Sequence, residues 1–298
     1  MSNALTTQSL SKRFRHVDAL HELTLEVPEG SIFALVGING AGKTTAIKTA
    51  MNILQPTSGR ATVLGTDSRR LGPDDFARIG YVSENQEMPD WMTVGYFLDY
   101  LKPFYPSWDT TRAAELVGQF QLPRDRKLRH LSRGMRIKAA LASALSYRPR
   151  LLVMDEPFGG LDPLVRDEVI EGLLDSAGET TIFISSHDLA EIESFATHIG
   201  YLDRGRLQFS EEMGTLSARF REIEVTLDQP GTLPTELPDH WLRPETSAAV
   251  VRFIDSRFEN GRTQNQIRQV FGEVREVTAY PMALRAIFVA LARSGAKS

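Results

Sequence analysis

The sequence predicts an α/β fold built on a buried parallel sheet, with a smaller α+β appendage behind it. Three observations carry that prediction. First, the β-branched apolar run Ile32–Val36 passes through the glycine loop of residues 37–45, Gly-Ile-Asn-Gly-Ala-Gly-Lys-Thr-Thr, into a helical pattern. Second, two more apolar runs, 151–154 and 181–185, each end in charged or polar residues. Third, strand and helix patterns restart near residue 216, after a first set of elements is complete.

Composition limits the classes available. The 298 residues are 42% hydrophobic and 24% charged, as in an ordinary globular protein. No run approaches the ~18 apolar residues of a membrane span. The first residues lack the charged and then apolar regions of a signal peptide. The absence of cysteine excludes disulfides and thiolate metal sites and fits the cytoplasm. A net charge of −4 argues against a globally basic nucleic-acid binder.

Taken in order, residues 4–14 and 20–27 read as strands with a turn between them. Phe14 stands among basic residues, where it could stack on a purine or pack on its own sheet. The run 32–36 is the strand that delivers the glycine loop. Its glycines let consecutive N–H groups turn toward an anion, and the following helix adds its free donors and positive pole. Lys43 supplies a mobile charge for β- and γ-phosphates, and the Thr44 hydroxyl can ligate Mg²⁺. Ile47, Ala50, Met51 and Leu54 predict one apolar face of the helix after the loop.

Residues 60–66 and 78–83 suggest two more strands. An aromatic-rich segment follows, with Trp91, Tyr96, Phe97, Tyr100, Phe104, Tyr105 and Trp108. The expectation is that most are core of a small helical subdomain; the sharper reading is a groove for a partner's helix. Between residues 124 and 138 seven Arg or Lys residues face one acid, Asp125. Ser132 is placed to cap a helix whose apolar face is Ile137, Ala140, Leu141, Ala144 and Leu145. That helix start, with a glycine in its first turn and positive charge around it, is a second candidate anion site.

The run 151–154 ends in Asp155 and Glu156, where open α/β sheets bind ligands. Alternation along a strand lets the pair divide its work: Asp155 reaches the Mg²⁺ shell and Glu156 accepts a proton from an attacking water. Asp162 before Pro163 caps the next helix. The strand 181–185 leads to His187.

Together these pieces resemble the ATP-binding cassette of ABC transporters over about residues 5–215, in that family's order. Residues 37–45 match the Walker A loop and residues 131–135, Leu-Ser-Arg-Gly-Met, resemble the signature. Residues 151–156 are similar to Walker B, 160–163 to the D-loop, and His187 to the switch histidine. The resemblance implies an α/β P-loop NTPase cassette over residues 1–215. Its parts are a RecA-like parallel core, an N-terminal antiparallel β-subdomain and a helical signature subdomain at about 87–148. Residues 216–298 then form a small C-terminal accessory domain.

By the same resemblance, Phe14 stacks on adenine, while Gly37, Ile38, Asn39, Gly40, Ala41, Gly42, Lys43, Thr44 and Thr45 hold the nucleotide. Thr44 and Asp155 serve Mg²⁺, Glu156 polarises the water, and His187 holds the γ-phosphate beside Lys43. Ser132 and Gly134 would meet ATP held by a second cassette, with Asp162 in a cross-dimer role. Two positions depart from the pattern. Arg133 replaces a signature glycine, where its guanidinium could touch phosphate or point to solvent. Glu84 occupies the position of the Q-loop glutamine, a metal-shell position, with Gln86 two residues on.

The implied protein is an ATPase subunit on the inner face of the cell membrane. Its expected partners are a separate transmembrane permease and a second ATP-binding subunit, identical or closely paralogous, with no nucleic acid. The departures and short tail look more like exporters of the ABC-2 kind. The rival is a cassette ATPase acting on nucleic acid or ribosomes. Against it stand the lack of sustained heptads, of a second cassette and of a cysteine zinc motif. In the tail, residues 221–227, 249–254 and 274–279 read as strands. A helix is expected between the last two, another over 282–291, and a turn-rich connector over 228–238. Eleven basic and ten acidic residues leave the tail nearly neutral.

Overall fold

Two twelve-residue strands open the chain. β1 (Asn3–Phe14) and β2 (Val17–Pro28) pair antiparallel around a two-residue turn and bury Leu5, Leu10, Leu20, Leu23, Leu25 and Val27. The computed structural model describes residues 2–294 apart from 85, 230, 231 and 235, with 292–294 described by backbone alone. β3 (Ile32–Val36) is buried at every residue, as a central parallel strand covered on both faces should be. The loop 37–42 then leads into α1 (Lys43–Ala50).

α1 is shorter than the sequence pattern predicts. It stops at Ala50 because Asn52 takes a left-handed φ of 58°, so Leu54 lies outside the helix. β4 (Ser58–Val63) and β5 (Thr66–Asp67) complete a sheet of order β2-β1-β4-β5. The short α2 (Pro73–Phe76) precedes β6 (Ile79–Ser83).

α3 (Val94–Leu101) and α4 (Thr110–Gln119) start at side-chain caps, Thr93 and Asp109, whose oxygens accept from the amides of Tyr96 and Arg112. Here the expectation of an aromatic core is corrected. α3 buries Val94, Phe97 and Leu98, and that places Tyr96 and Tyr100 on the opposite face. Trp91, Tyr96, Tyr100 and Phe104 are between 46% and 62% exposed. Their rings pair with one another, Trp91 with Tyr96 at 5.7 Å and Tyr100 with Phe104 at 5.6 Å. Phe97 is buried, and at the far end of the segment Tyr105 stacks on Tyr147 at 3.8 Å.

α5 (Arg133–Leu145) is buried well beyond the single face its pattern suggests, and even Lys138 and Ser143 are covered. Lys138 is paired with Glu168 of α6 (Pro163–Leu174), which offsets the cost of burying its charge. β7 (Leu151–Asp155) and β8 (Thr181–Ser186) are buried throughout, and β9 (His198–Asp203) and β10 (Arg206–Glu212) come after them.

The second sheet has the order β10-β9-β3-β8-β7-β6. β3 lies between β8 and β9, and β7 between β8 and β6, all parallel. Register sets the neighbours at the strand ends: Ser83 sits opposite Asp155, Asp155 opposite Ser185, and Ser186 opposite Val36. The carboxyl ends of four strands therefore meet along one edge.

Backbone contacts divide the chain into two units, residues 1–210 and 211–298. The second holds α7 (Met213–Arg219), β11 (Arg221–Leu227), β12 (Trp241–Ser247), β13 (Val250–Asp255), α8 (Asn260–Phe271), β14 (Val274–Pro281) and α9 (Leu284–Ser294). Its antiparallel sheet, order β12-β13-β11-β14, packs Ile223, Val225, Val251 and Phe253 around Trp241 and Ile267. β12 and α7 are elements the sequence pattern does not reveal. Arg243 and Pro244 interrupt the one, and the other is only seven residues long. Of the expected connector, residues 230, 231 and 235 lie outside the described residues.

Candidate active site

The carboxyl edge of the parallel sheet carries the glycine loop, and sterics explain its glycines. A Cβ on Gly37 would lie 2.3 Å from the Leu202 carbonyl oxygen, and one on Gly42 would lie 2.5 Å from that of Ala19. Gly42 also has a φ of 108°. Two strands thus close on the loop from either side. Gly42 is the N-cap of α1 and supplies no side-chain acceptor, so the helix's first-turn amides keep their capacity for an anion.

Lys43 is 5% exposed, and a buried ammonium needs partners for its three donors. They are the Gly37 carbonyl at 2.6 Å, the Ile38 carbonyl at 3.2 Å and Glu156 Oε1 at 3.0 Å. Glu156 Oε2 meets His187 Nδ1 at 2.8 Å, a contact that the Nδ1–H tautomer makes by donating. One carboxylate therefore bridges the loop lysine and the histidine beyond β8.

Strand alternation does not aim Glu156. The residue lies beyond β7 with a φ of 50°, a left-handed conformation costing about 1–2 kcal/mol, and its N–H is held by Ser185 Oγ at 3.0 Å. That turn directs the carboxylate toward Lys43, while Asp155 faces the loop from the strand itself. Asp155 Oδ1 accepts from Thr44 Oγ1 at 3.0 Å and from Ser185 Oγ at 2.8 Å. Beyond His187, Ser186 Oγ bonds Glu191 at 2.9 Å, and burial raises the Glu191 carboxyl above its ordinary range.

Over the loop lies a cavity of about 480 Å³, bounded by Asn39, residues 40–45 and Glu156. Its other wall is Val17, Asp18, Ala19, His21 and Arg204, none of which the sequence patterns point to. Backbone pairing places them: His21 N–H donates to Gly205 O, and Gly205 N–H to Ala41 O, both at 2.8 Å. Ser185 is missed by those patterns too, although its position opposite Asp155 emerges once the two strands are taken as in-register parallel neighbours.

Among the described residues the cavity wall does not include Phe14, Ser132, Gly134 or Asp162. Phe14 ends β1, partly exposed, with Lys12 Nζ 4.9 Å from its ring centroid. Ser132 caps α5 through the Met135 amide at 3.3 Å. Gly134 has a packing reason to be glycine, since a Cβ there would stand 2.5 Å from Val165 Cγ1. Asp162 caps α6 through the Leu164 amide at 2.8 Å. Arg133, half-exposed, is paired with the Glu84 carboxylate, while the Glu84 N–H donates to the Asp155 carbonyl at 3.1 Å. Gln86 folds back, its Oε1 3.4 Å from the Ser83 amide.

No group of three acids or histidines that could hold a metal occurs among the described residues. The Thr44 hydroxyl and the Asp155 carboxylate still fit Mg²⁺, which takes oxygen ligands and commonly uses one or two protein groups beside phosphate and water. A buried cation, a carboxylate poised beside a histidine, a hydroxyl–carboxylate pair and uncapped amides together suit binding a polyphosphate and activating water against it.

Comparison with known proteins bears on the same residues. The family model described as ABC transporter matches residues 20–159. The chain is 30% identical to the ABC transporter ATP-binding protein YtrB of Bacillus subtilis, over 74% of this chain and 76% of that protein. It is 33% identical to the bacitracin transport ATP-binding protein BcrA of Enterococcus faecalis, over 74% and 73%. To the daunorubicin/doxorubicin resistance ATP-binding protein DrrA of Streptomyces peucetius it is 28% identical, over 97% and 92%. A solved ATP-binding subunit of an ABC transporter superposes with a TM-score of 0.66 at 25% identity, covering 72% of this chain and 92% of that one.

Proposed function

The chain belongs to the ABC transporter family, as one of its ATP-binding, ATP-hydrolysing proteins, and from that premise we propose that it powers a separate membrane-spanning exporter. The observation that carries the catalytic assignment is the Glu156 bridge between Lys43 and His187. In the proposed cycle the γ-phosphate takes the Lys43 ammonium and a His187 N–H as its own partners. That frees the Glu156 carboxylate to orient a water and accept its proton. The loop amides and α1 pole hold the β- and γ-phosphates in place meanwhile. Thr44 and Asp155 would hold Mg²⁺, which supplies charge neutralisation on the phosphates when bound.

Phe14, Val17 and the Arg204 side of the cavity are the proposed base end of the site. Ser132 and Gly134 are proposed to meet ATP bound to a second, identical or closely related cassette, with Asp162 at that junction. The proposed cassette spans residues 1–215, including the helical subdomain at 87–148, and residues 216–298 are its accessory domain. Export is supported by the bacitracin and daunorubicin names among its relatives. No helix among the described residues is long and apolar enough to cross a membrane; the proposed spans belong to a separate permease, which would hold this chain at the inner face of the membrane. The exposed aromatics of residues 91–104 suit the docking of that partner's helix.

Glu156→Gln tests the reading. Hydrolysis should fall about 10²–10⁴-fold, the range for losing a positioned base, while ATP still binds and the variant accumulates as a dimer on size exclusion. Turnover at the wild-type rate would remove Glu156 from the mechanism.

A further inference from the structure

Arg133 and Arg136 both stand in the first turn of α5, and that turn contains no acid. The N-terminal end of a helix is its positive pole, so two cations there are electrostatically unfavourable without compensation. The compensation comes from one neighbouring segment. Arg133 Nη2 donates to Glu84 Oε1, and Arg136 Nη1 donates to Asp90 Oδ1 at 2.9 Å. Both acids lie between β6 and α3, so Glu84 and Asp90 hold the tip of α5 at two points.

The first of these pairs also lies against a third loop. A Cβ on Gly159 would approach Glu84 Oε1 to 3.1 Å, and one on Gly160 would approach Arg133 Nη1 to 3.0 Å. The glycines leave room for the ion pair beside the loop that runs on to Asp162. The backbone of Glu84 is close to the proposed metal strand, its N–H donating to the Asp155 carbonyl at 3.1 Å. Its carboxylate nevertheless turns to Arg133, while Thr44 and Asp155 bond each other.

We infer that Glu84 is a positioning residue acting through Arg133: the pair holds the α5 tip, with Ser132 and Gly134, against the loop at 157–162. The inference rests on the ATPase reading above. It gives the two departures from the family pattern a single cause. An arginine in place of glycine at the signature requires a counter-charge, and a glutamate in place of glutamine supplies it. Losing Glu84 alone leaves an unpaired guanidinium at the positive pole, and the first turn shifts to relieve it. Losing both charges removes the conflict.

The test is steady-state ATPase kinetics on the full chain for Glu84→Gln, Arg133→Gly and the double variant, with ATP affinity and Mg²⁺ dependence measured separately. Glu84→Gln should lower kcat about threefold to fivefold, the upper scale of a partly exposed ion pair, with ATP affinity and half-saturating Mg²⁺ unchanged. Arg133→Gly in the same chain should restore most of that loss. Gly159→Ala, whose methyl presses on Glu84 Oε1, should reproduce the loss in a chain that keeps every charge, and thermal melts check that each variant is folded. A raised Mg²⁺ requirement in Glu84→Gln with no rescue by Arg133→Gly would make Glu84 a metal-shell residue and overturn the proposal. Losses that simply multiply in the double variant would overturn it too. A wild-type chain that neither binds nor hydrolyses ATP would instead refute the ATPase reading on which the proposal stands.

Discussion

The loop at the head of α1 and the tip of α5 each set a glycine beside helix N-terminal amides, and they are held by opposite means. Around α1 the contacts centre on buried side chains, Lys43, Asp155 and Ser185: Lys43 on two carbonyls and Glu156, Thr44 and Ser185 on Asp155. Around α5 they are surface charges from loops, Glu84 on Arg133 and Asp90 on Arg136. Strand register holds the first to a single arrangement, since a shift would move every partner together. Ion pairs between partly exposed groups hold the second, and these are weak and exchangeable. A rigid half and an adjustable half suit the cycle proposed above, in which the loop before α1 would bind nucleotide and the α5 tip would close on it.

The contrast can be broken most severely at Lys43. Lys43→Ala leaves Glu156 without its buried counter-ion and the loop without its charge. ATP affinity should fall about 100-fold or more by equilibrium binding, as for removal of a buried charged partner. Unchanged affinity would mean the cavity over the loop is not the nucleotide site. Gly42→Ala comes next, because its methyl meets the Ala19 carbonyl at 2.5 Å in a left-handed backbone. Chemical denaturation should show a loss of about 2–4 kcal/mol. A loss under about 1 kcal/mol would show that the two flanking strands do not pin the loop.

On the adjustable side the expected effects are smaller. Ser132→Ala removes the α5 cap and should cost about 1 kcal/mol, read from urea midpoints. A cost equal to that of Gly42→Ala would erase the distinction between the two regions.

The smallest effect sharpens the rigid side. Burial holds the Glu191 carboxyl above its ordinary range. A carboxyl raised in the folded state contributes stability below its unfolded pKa and loses it as pH rises through the folded one. Relative to wild type, Glu191→Gln should therefore gain stability as pH climbs from about 4 through the raised Glu191 titration, followed by thermal melting. A constant difference across that range would show that Glu191 titrates normally.

Much of the rigid side was legible because it is local. A short apolar strand, a glycine loop and Lys43 are contiguous, and two acids at the end of another strand announce themselves. What escaped was whatever depends on a neighbour distant in the chain. Glu156 owes its aim to a left-handed turn held by Ser185, and no alternation rule contains that. The pattern around Gly134 suggests closeness to a ligand, while its immediate constraint is Val165 of α6. The aromatics of 91–104 are expected in a core because composition counts rings, whereas exposure depends on which face α3 turns inward.

By itself the sequence determined the family, the parallel sheet and the chemical identity of the phosphate-side residues, because short-range backbone sterics and hydrophobic burial act on neighbouring residues. Only the tertiary structure decided that Arg133 belongs to Glu84, that Glu156 joins Lys43 to His187, and that β2 and the turn after β9 wall the cavity. The ion pairs among these join positions from 31 residues apart, at Glu156 and His187, to 113 apart, at Lys43 and Glu156. Their partners are set by strand register and by Coulomb attraction across space, neither of which a linear pattern encodes.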